Sequence, residues 1–219
     1  MKFQAETELV RTLKASLKEI FHRSSVKIFE EVSLGYGIAD IVVSETCEDC
    51  HKSNEGKNSL DIHDINVFII IKEAGDIALS EIIELTRCSR RSILMSISNL
   101  ISSHYIEESD GKFRLSRNYE LSFVKNFAIE AKLKDWKKGL KQAYRYKWFA
   151  EYSFVVLDEH YSKPALKNID IFEKYNVGLA SMSVCGKLTR HFNPTPQPPL
   201  DPKMQMLFSE QIKLYELAK

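Results

Sequence analysis

The run Phe127-Ala128-Ile129-Glu130-Ala131-Lys132-Leu133 sets a carboxylate and an ammonium two positions apart inside an apolar stretch. Residues two apart on a β-strand share a face. Phe127, Ile129, Ala131 and Leu133 would then line the buried face, with Ala128, Glu130 and Lys132 on the other. A cross-sheet ion pair on a solvated face has the same signature and is the commoner meaning of such a pair. A second acidic residue changes the weighting. Asp40 interrupts Ile38-Ala39-Asp40-Ile41-Val42-Val43, and a carboxylate within an apolar strand is costly unless a cation or hydrogen-bond donor meets it. An edge or turn-facing aspartate would also satisfy that requirement. Together, Asp40 and Glu130 offer oxygen ligands for a hard divalent cation, Mg2+ or Mn2+, and Lys132 offers an ammonium to orient an attacking water.

The elements that must position these residues follow from periodicity. Leu9, Leu13, Leu17, Ile20 and Phe21 recur at helical spacing, which predicts an amphipathic helix over about residues 5–22. Val26 to Leu34 and Ile38 to Val43 flank Gly35-Tyr36-Gly37 and read as a hairpin. Residues 45–61 are almost devoid of apolar side chains and read as a linker. Beyond it come an apolar helix from about Ile65 to Ala74, a helix from Glu81 to Thr86 with Ser80 as its cap, and a third capped by Ser89. Tyr105-Ile106 and Phe113-Arg114-Leu115 flank an Asp110-Gly111 turn. Three helices and a hairpin within about 55 residues resemble a winged helix-turn-helix domain. From Asn118 onward the α/β texture returns. Strands are expected over Phe123–Leu133, Tyr152–Leu157 and Val177–Val184, and helices over Trp136–Ala150, Pro164–Tyr175 and Lys203–Ala218. Five of the six prolines fall within residues 193–202, which cannot be helical throughout.

The order of these elements resembles the PD-(D/E)XK nuclease superfamily, the restriction-endonuclease-like fold. The resemblance rests on an N-terminal helix with an acidic residue, a hairpin bearing Asp40, the Glu130-Ala131-Lys132 strand, and a following helix with Trp136, Leu140, Gln142-Ala143 and Tyr146. Tyr175-Asn176-Val177-Gly178-Leu179-Ala180 is similar to the family's closing strand. Ala39 stands where the family name has proline, and Asp40 and Glu130 lie 90 positions apart. An insertion accounts for that gap, since loops whose ends lie close together tolerate insertion. The implied architecture is an α/β fold with a mixed sheet flanked by helices. Residues 1–44 would form the N-terminal portion of the nuclease core, 45–61 a linker, and 62–118 a winged helix-turn-helix insertion. Residues 119–219 would complete the core and add the C-terminal helix. The resemblance implies metal-dependent hydrolysis of DNA phosphodiesters, with Asp40, Glu130 and the Ala131 carbonyl on the metal. Lys132 would orient the water. Glu6 of the first helix and Gln142 would complete the site; a helix-dipole glutamate reads equally simply for Glu6, while the flanking Trp136, Ala143 and Tyr146 weigh against a merely solvated glutamine at 142. A non-catalytic DNA-binding transcriptional regulator on a nuclease-like scaffold is the alternative.

The 219 residues carry 31 Lys and Arg against 30 Asp and Glu, a net charge of only +1. Locally the balance differs: eight basic residues between Lys125 and Lys147 face only Glu130 and Asp135. Lys137, Lys138, Lys141 and Arg145 of the expected helix are therefore candidate phosphate contacts. In the winged helix, Arg87, Arg90, Arg91 and Ser92 lie at or before the start of the third helix, and Lys112 and Arg114 lie on the wing. Some winged helices bind protein instead. Cleaving both strands of a duplex takes two sites, which is compatible with a homodimer. No stretch approaches a membrane span, and the N-terminus lacks a signal-peptide core, so a cytoplasmic protein with reduced cysteines is expected. Cys47, Cys50 and His51 or His63 have partial zinc spacing without a second ligand pair.

Overall fold

The computed structural model describes residues 1–21, 25–35, 37–46 and 58–217. In chain order the elements are α1 (Glu6–Ile20), β1 (Val26–Ser33), β2 (Ile38–Thr46), α2 (Ile62–Ala74), β3 (Ile77–Ala78), α3 (Leu79–Thr86), α4 (Arg90–Ser102), β4 (Ile106–Ser109) and β5 (Lys112–Leu115), then β6 (Phe123–Lys132), α5 (Trp136–Tyr146), β7 (Tyr152–Asp158), α6 (Lys163–Leu166), α7 (Ile169–Tyr175), β8 (Gly178–Met182), β9 (Leu188–Phe192) and α8 (Pro202–Leu217). The protein is mixed α/β, with a six-stranded mixed sheet and a three-stranded antiparallel sheet among the described residues. Two compact units emerge, Met1–Cys47 with Phe123–Asp201, and Glu48–Ser122 with Pro202–Lys219.

The first unit is built on the sheet β1-β2-β6-β7-β8-β9. The β1–β2 and β2–β6 pairs are antiparallel, β6, β7 and β8 are mutually parallel, and β9 returns antiparallel. Parallel neighbours require crossovers, supplied by α5 between β6 and β7 and by α6 and α7 between β7 and β8. Leu9, Leu13 and Leu17 of α1, all buried, pack on Ile41, Val43, Ile129, Ala131, Val156 and Ala180. α5 turns Trp136, Gly139, Leu140, Ala143 and Tyr146 inward. A Cβ at Gly139 would come 3.0 Å from a Val155 methyl and 3.3 Å from Lys132 Cγ, so the absent side chain lets α5 lie close on β6 and β7. With helices on both faces, residues 128–132 are all buried. Alternation at a two-residue period predicts one buried face only; central strands of a doubly covered sheet are buried on both.

Two further expectations are corrected. β2 continues through Thr46, two residues into the segment expected to be linker from residue 45. The helix expected over 164–175 is two, because the Asn168 side chain donates to Pro164 O at 2.8 Å and takes a carbonyl that a continuous helix would use. The proline-rich stretch is irregular and tied down by its backbone: Gln197 N donates to Glu151 O (3.2 Å) and Leu200 N to Lys147 O (3.0 Å).

The second unit opens with α2, whose cap Asp61 accepts from His63 N and Asp64 N while the Asp64 carboxylate accepts the Asp61 N–H. α3 starts earlier than expected: Ala78, not Ser80, precedes the helix, and the Glu81 carboxylate accepts the Ala78 N–H at 2.8 Å. The expectation of Ser89 as cap of α4 agrees with its Oγ accepting Ser92 N at 3.2 Å. Asp110 and Gly111 both hold positive φ, 52° and 74°, the conformation a two-residue hairpin turn demands. β3, too short to leave a periodic signal, adds a third strand by pairing with β5.

Sequence order groups α8 and residues 119–122 with the 119–219 half, but their contacts lie in the second unit. The reason is Glu210. Its carboxylate, 2% exposed, accepts from Leu60 N (3.0 Å), Ser59 Oγ (3.2 Å), Tyr119 OH (2.5 Å) and Lys213 Nζ (2.6 Å). Next to it, Ser122 N donates to Ser209 Oγ at 2.8 Å. One helix therefore clasps both ends of the segment that separates β2 from β6. Glu210→Ala orphans several buried donors and the Lys213 ammonium, and is expected to cost about 3 kcal/mol. Urea unfolding followed by Trp and Tyr fluorescence measures it; a change below about 0.5 kcal/mol would show that the clasp adds nothing.

Candidate active site

The site begins where the sheet's hydrogen-bond ladder stops. β2 and β6 pair from Thr46 opposite Phe123 to Ile41 opposite Ile129, and no further. At the next position, Asp40 Oδ2 accepts the Ala131 N–H at 2.7 Å. The side chain thus satisfies an amide that a continued ladder would have paired. On its other side, Asp40 faces Glu31 of β1, where the β1–β2 register also has a gap and Glu31 holds φ 52°. A non-glycine residue there is strained, and such strain concentrates at functional sites.

β6 presents Glu130 and Lys132 on the face covered by α5. Lys132 Nζ lies 2.6 Å from Glu130 Oε1 and 3.4 Å from Glu6 Oε2 of α1, and donates to Ala131 O at 3.4 Å. Glu130 is 1% exposed, whereas Glu6 is 48% exposed. Glu6 therefore reaches the site from its rim and touches it through Lys132, instead of lying on the inward stripe with Leu9 and Leu13. The Tyr146 hydroxyl closes the arrangement, bonding Ile38 O at 2.6 Å and Glu130 Oε2 in a short contact. Helical periodicity assigns Tyr146 only to the packed face of its helix. Its place one turn beyond Gln142 is the available sequence signal, and only the fold turns it onto the carboxylate.

Burial raises the carboxyls of both Asp40 and Glu130 above their ordinary values. For Asp40 the Ala131 N–H and Lys132 oppose the rise, while Glu6 and Glu31 add to it. For Glu130 the bonds from Lys132 and Tyr146 oppose it and the Asp40 charge adds to it. Burial by itself would lower Lys132, but the Glu130 hydrogen bond and the surrounding carboxylates outweigh it and keep the ammonium charged.

The half-buried Asp40 and buried Glu130 carboxylates repel one another, and oxygen groups of this kind are the ligands that Mg2+ or Mn2+ takes. Asp40 Oδ1 has no hydrogen-bond partner among the described residues, and each Glu130 oxygen keeps a second lone pair. The oxygen donors such an ion would need, Asp40, Glu130 and Ala131 O, lie on the adjoining strands β2 and β6. Among the described residues no three His, Cys, Asp or Glu side chains converge into a metal cluster; Glu6 meets the site through Lys132.

The other expected residues are distributed as follows. Gln142 lies on α5, and its Oε1 is buried without a hydrogen-bond partner; no contact ties it to the carboxylates. Lys137, Lys138, Lys141 and Arg145 are exposed on the outer side of the same helix. In the second unit Arg87, Arg90, Arg91, Lys112 and Arg114 are exposed, Ser92 is half-buried, and Arg114 is held by Glu107 at 2.7 Å. Cys47, Cys50 and His51 lie outside the described residues. Among the described residues no helix is long and apolar enough to cross a membrane. Comparison with known proteins found no matching family model, curated protein or solved structure.

The charges differ in what they contribute to stability. A carboxyl whose folded pKa is raised stabilises most below its unfolded pKa of about 4 and loses that contribution as pH rises through the folded value. Asp40→Asn removes the charge while an amide oxygen can still accept the Ala131 N–H. In metal-free buffer its Tm is expected to equal or exceed wild type, with the margin growing as pH rises above the unfolded carboxyl value of about 4. Glu130→Gln also removes a raised carboxyl, but it takes the nearest partner from buried Lys132 and is expected to be less stable than Asp40→Asn. Thermal melts from acid to neutral pH decide it, and an Asp40→Asn protein that weakens relative to wild type as pH rises would contradict a carboxyl raised by burial at this site.

Proposed function

We propose that the chain is a metal-dependent nuclease of the PD-(D/E)XK, restriction-endonuclease-like kind that hydrolyses DNA phosphodiester bonds. The observation that carries this reading is the meeting of Asp40 with Glu130 and Lys132, some 90 positions further along the chain, where the β2–β6 ladder stops. A scattered set of surface ion pairs would not leave one carboxylate holding a strand amide and the other buried beneath α5.

Asp40, Glu130 and the Ala131 carbonyl would hold Mg2+ or Mn2+. When bound, the ion polarises the phosphate and lowers the pKa of a water ligand. Lys132, kept charged by its neighbours, acts as a donor and not as a base: it orients the attacking water and offsets charge gathering on the phosphoryl oxygens. Tyr146 restricts the orientation of Glu130, and Glu6 limits where the Lys132 ammonium can sit.

The order α2-β3-α3-α4-β4-β5, with the three-residue connection Arg87-Cys88-Ser89 between α3 and α4, supports a winged helix-turn-helix in the second unit. Its α4 would enter the major groove N-terminus first, presenting Arg90 and Arg91, with Arg87 and Ser92 alongside and Lys112 and Arg114 of the wing on phosphate. Cleavage of both strands would then call for two copies of the chain.

Incubation of purified protein with plasmid and linear DNA in Mg2+ or Mn2+ is expected to produce nicks or breaks. Asp40→Ala, Glu130→Ala and Lys132→Ala should each lower the rate at least about 100-fold, with Tyr146→Phe intermediate. Cleavage that survives the three alanine substitutions would remove the assigned site. Salt-sensitive duplex binding without cleavage under any of these ions would favour the regulator instead. In either case, replacing both Arg90 and Arg91 with alanine is expected to reduce the slope of log affinity against log salt by about two.

A further inference from the structure

The face of α5 turned away from the sheet has a composition that phosphate contact alone does not explain. Its exposed positions run Lys137, Lys138, Lys141, Tyr144 and Arg145, four cations with an aromatic ring among them. Tyr144 is 42% exposed and meets the 41% exposed Tyr175 at the end of α7, edge to face, with ring centroids 5.5 Å apart and planes at 73°. Asn176, in the left-handed region at φ 50°, ends α7 directly after Tyr175 and leaves that ring at the helix terminus. Each ring has an ammonium over one face. Lys147 Nζ lies 5.4 Å from the Tyr144 centroid and donates to Tyr175 O at 3.0 Å, which ties the two helix ends together. Lys174 Nζ lies 5.8 Å from the Tyr175 centroid.

Large aromatic rings left open on a surface call for a partner with flat apolar faces, and the lysines beside them call for an anion. Nucleobases in a duplex stack on each other and offer no free face, whereas unpaired bases do, and base–aromatic stacking is tolerant of sequence. We propose that Tyr144 and Tyr175, with Lys141, Arg145, Lys147 and Lys174 around them, form a stacking platform for an unpaired DNA strand. The inference deepens the phosphodiesterase reading and rests on it, since it names the substrate as DNA with a single-stranded segment. α5 is the shared element: its inner face carries Tyr146 onto Glu130, and its outer face carries Tyr144.

Binding can be measured without cleavage. Fluorescence anisotropy of a labelled oligo-dT of about 20 nucleotides and of a labelled duplex of about 20 base pairs is recorded in EDTA with the full chain. Replacing both Tyr144 and Tyr175 with alanine is expected to weaken oligo-dT binding at least about tenfold and change duplex binding less than about twofold. The double phenylalanine variant, which keeps the rings, is expected to bind oligo-dT within about threefold of wild type. Oligo-dT affinity unchanged by the alanine pair, an equal loss for duplex, or no binding of oligo-dT by wild type would overturn the platform. Tyrosine-dependent oligo-dT binding by a protein that cleaves under no divalent cation would leave the platform standing and sink the phosphodiesterase reading. Cleavage with tyrosine-independent binding would do the reverse.

Discussion

One hydrogen bond organises the first unit: the Ala131 amide to the Asp40 carboxylate. A β-sheet normally satisfies its amides with carbonyls of the next strand, and a strand amide left over in a buried place is expensive. Here the strands part after Ile41 and Ile129, and the amide is met by a side chain instead. Glu130 and Lys132 lie on either side of that amide, and Glu130 meets both Lys132 and Tyr146 on the face under α5. The same hydrogen bond explains why an aspartate is tolerated in an apolar strand: its charge is received by an N–H donor and by the field of Lys132.

The charged groups are held against their solvation preferences. Asp40 and Glu130 are both pushed toward protonation by burial and by their carboxylate neighbours, while Lys132 remains charged because three carboxylates surround it. Such a cluster is poor material for stability, since removing ions from water costs more than their attraction returns unless the geometry is very good. Under the proposed nuclease reading it would serve as a donor set, a divalent cation offsetting the repulsion between the two carboxylates. Gly139 belongs to the same design. By letting α5 lie on Val155 and the Lys132 stem, it keeps the lysine confined.

The second unit solves a different problem, that of a long segment placed between two adjacent strands. Its two ends must return near each other, and loop closure is costly unless contacts secure it. Glu210 supplies them by bonding Leu60 at one end and Tyr119 at the other, with Ser209 on Ser122 beside it. The C-terminal helix is thus far in sequence from the segment it completes.

Most element types, and the identity of the chemistry-bearing residues, are legible in the chain itself. Apolar spacing at Leu9, Leu13 and Leu17, the Asp110-Gly111 turn and the Ser89 cap are local signals, set by side-chain periodicity and backbone preference. Asp40, Glu130 and Lys132 stand out because charges in apolar strands need a reason. Long-range packing settles what no local signal carries. It turns Tyr146 onto Glu130, keeps Glu6 at the rim, puts Glu31 beside Asp40 and moves α8 to the second unit. It also buries β6 on both faces, because helices pack on each side of a parallel core. Those outcomes depend on which surfaces meet across tens of residues, and a one-dimensional pattern holds no record of that.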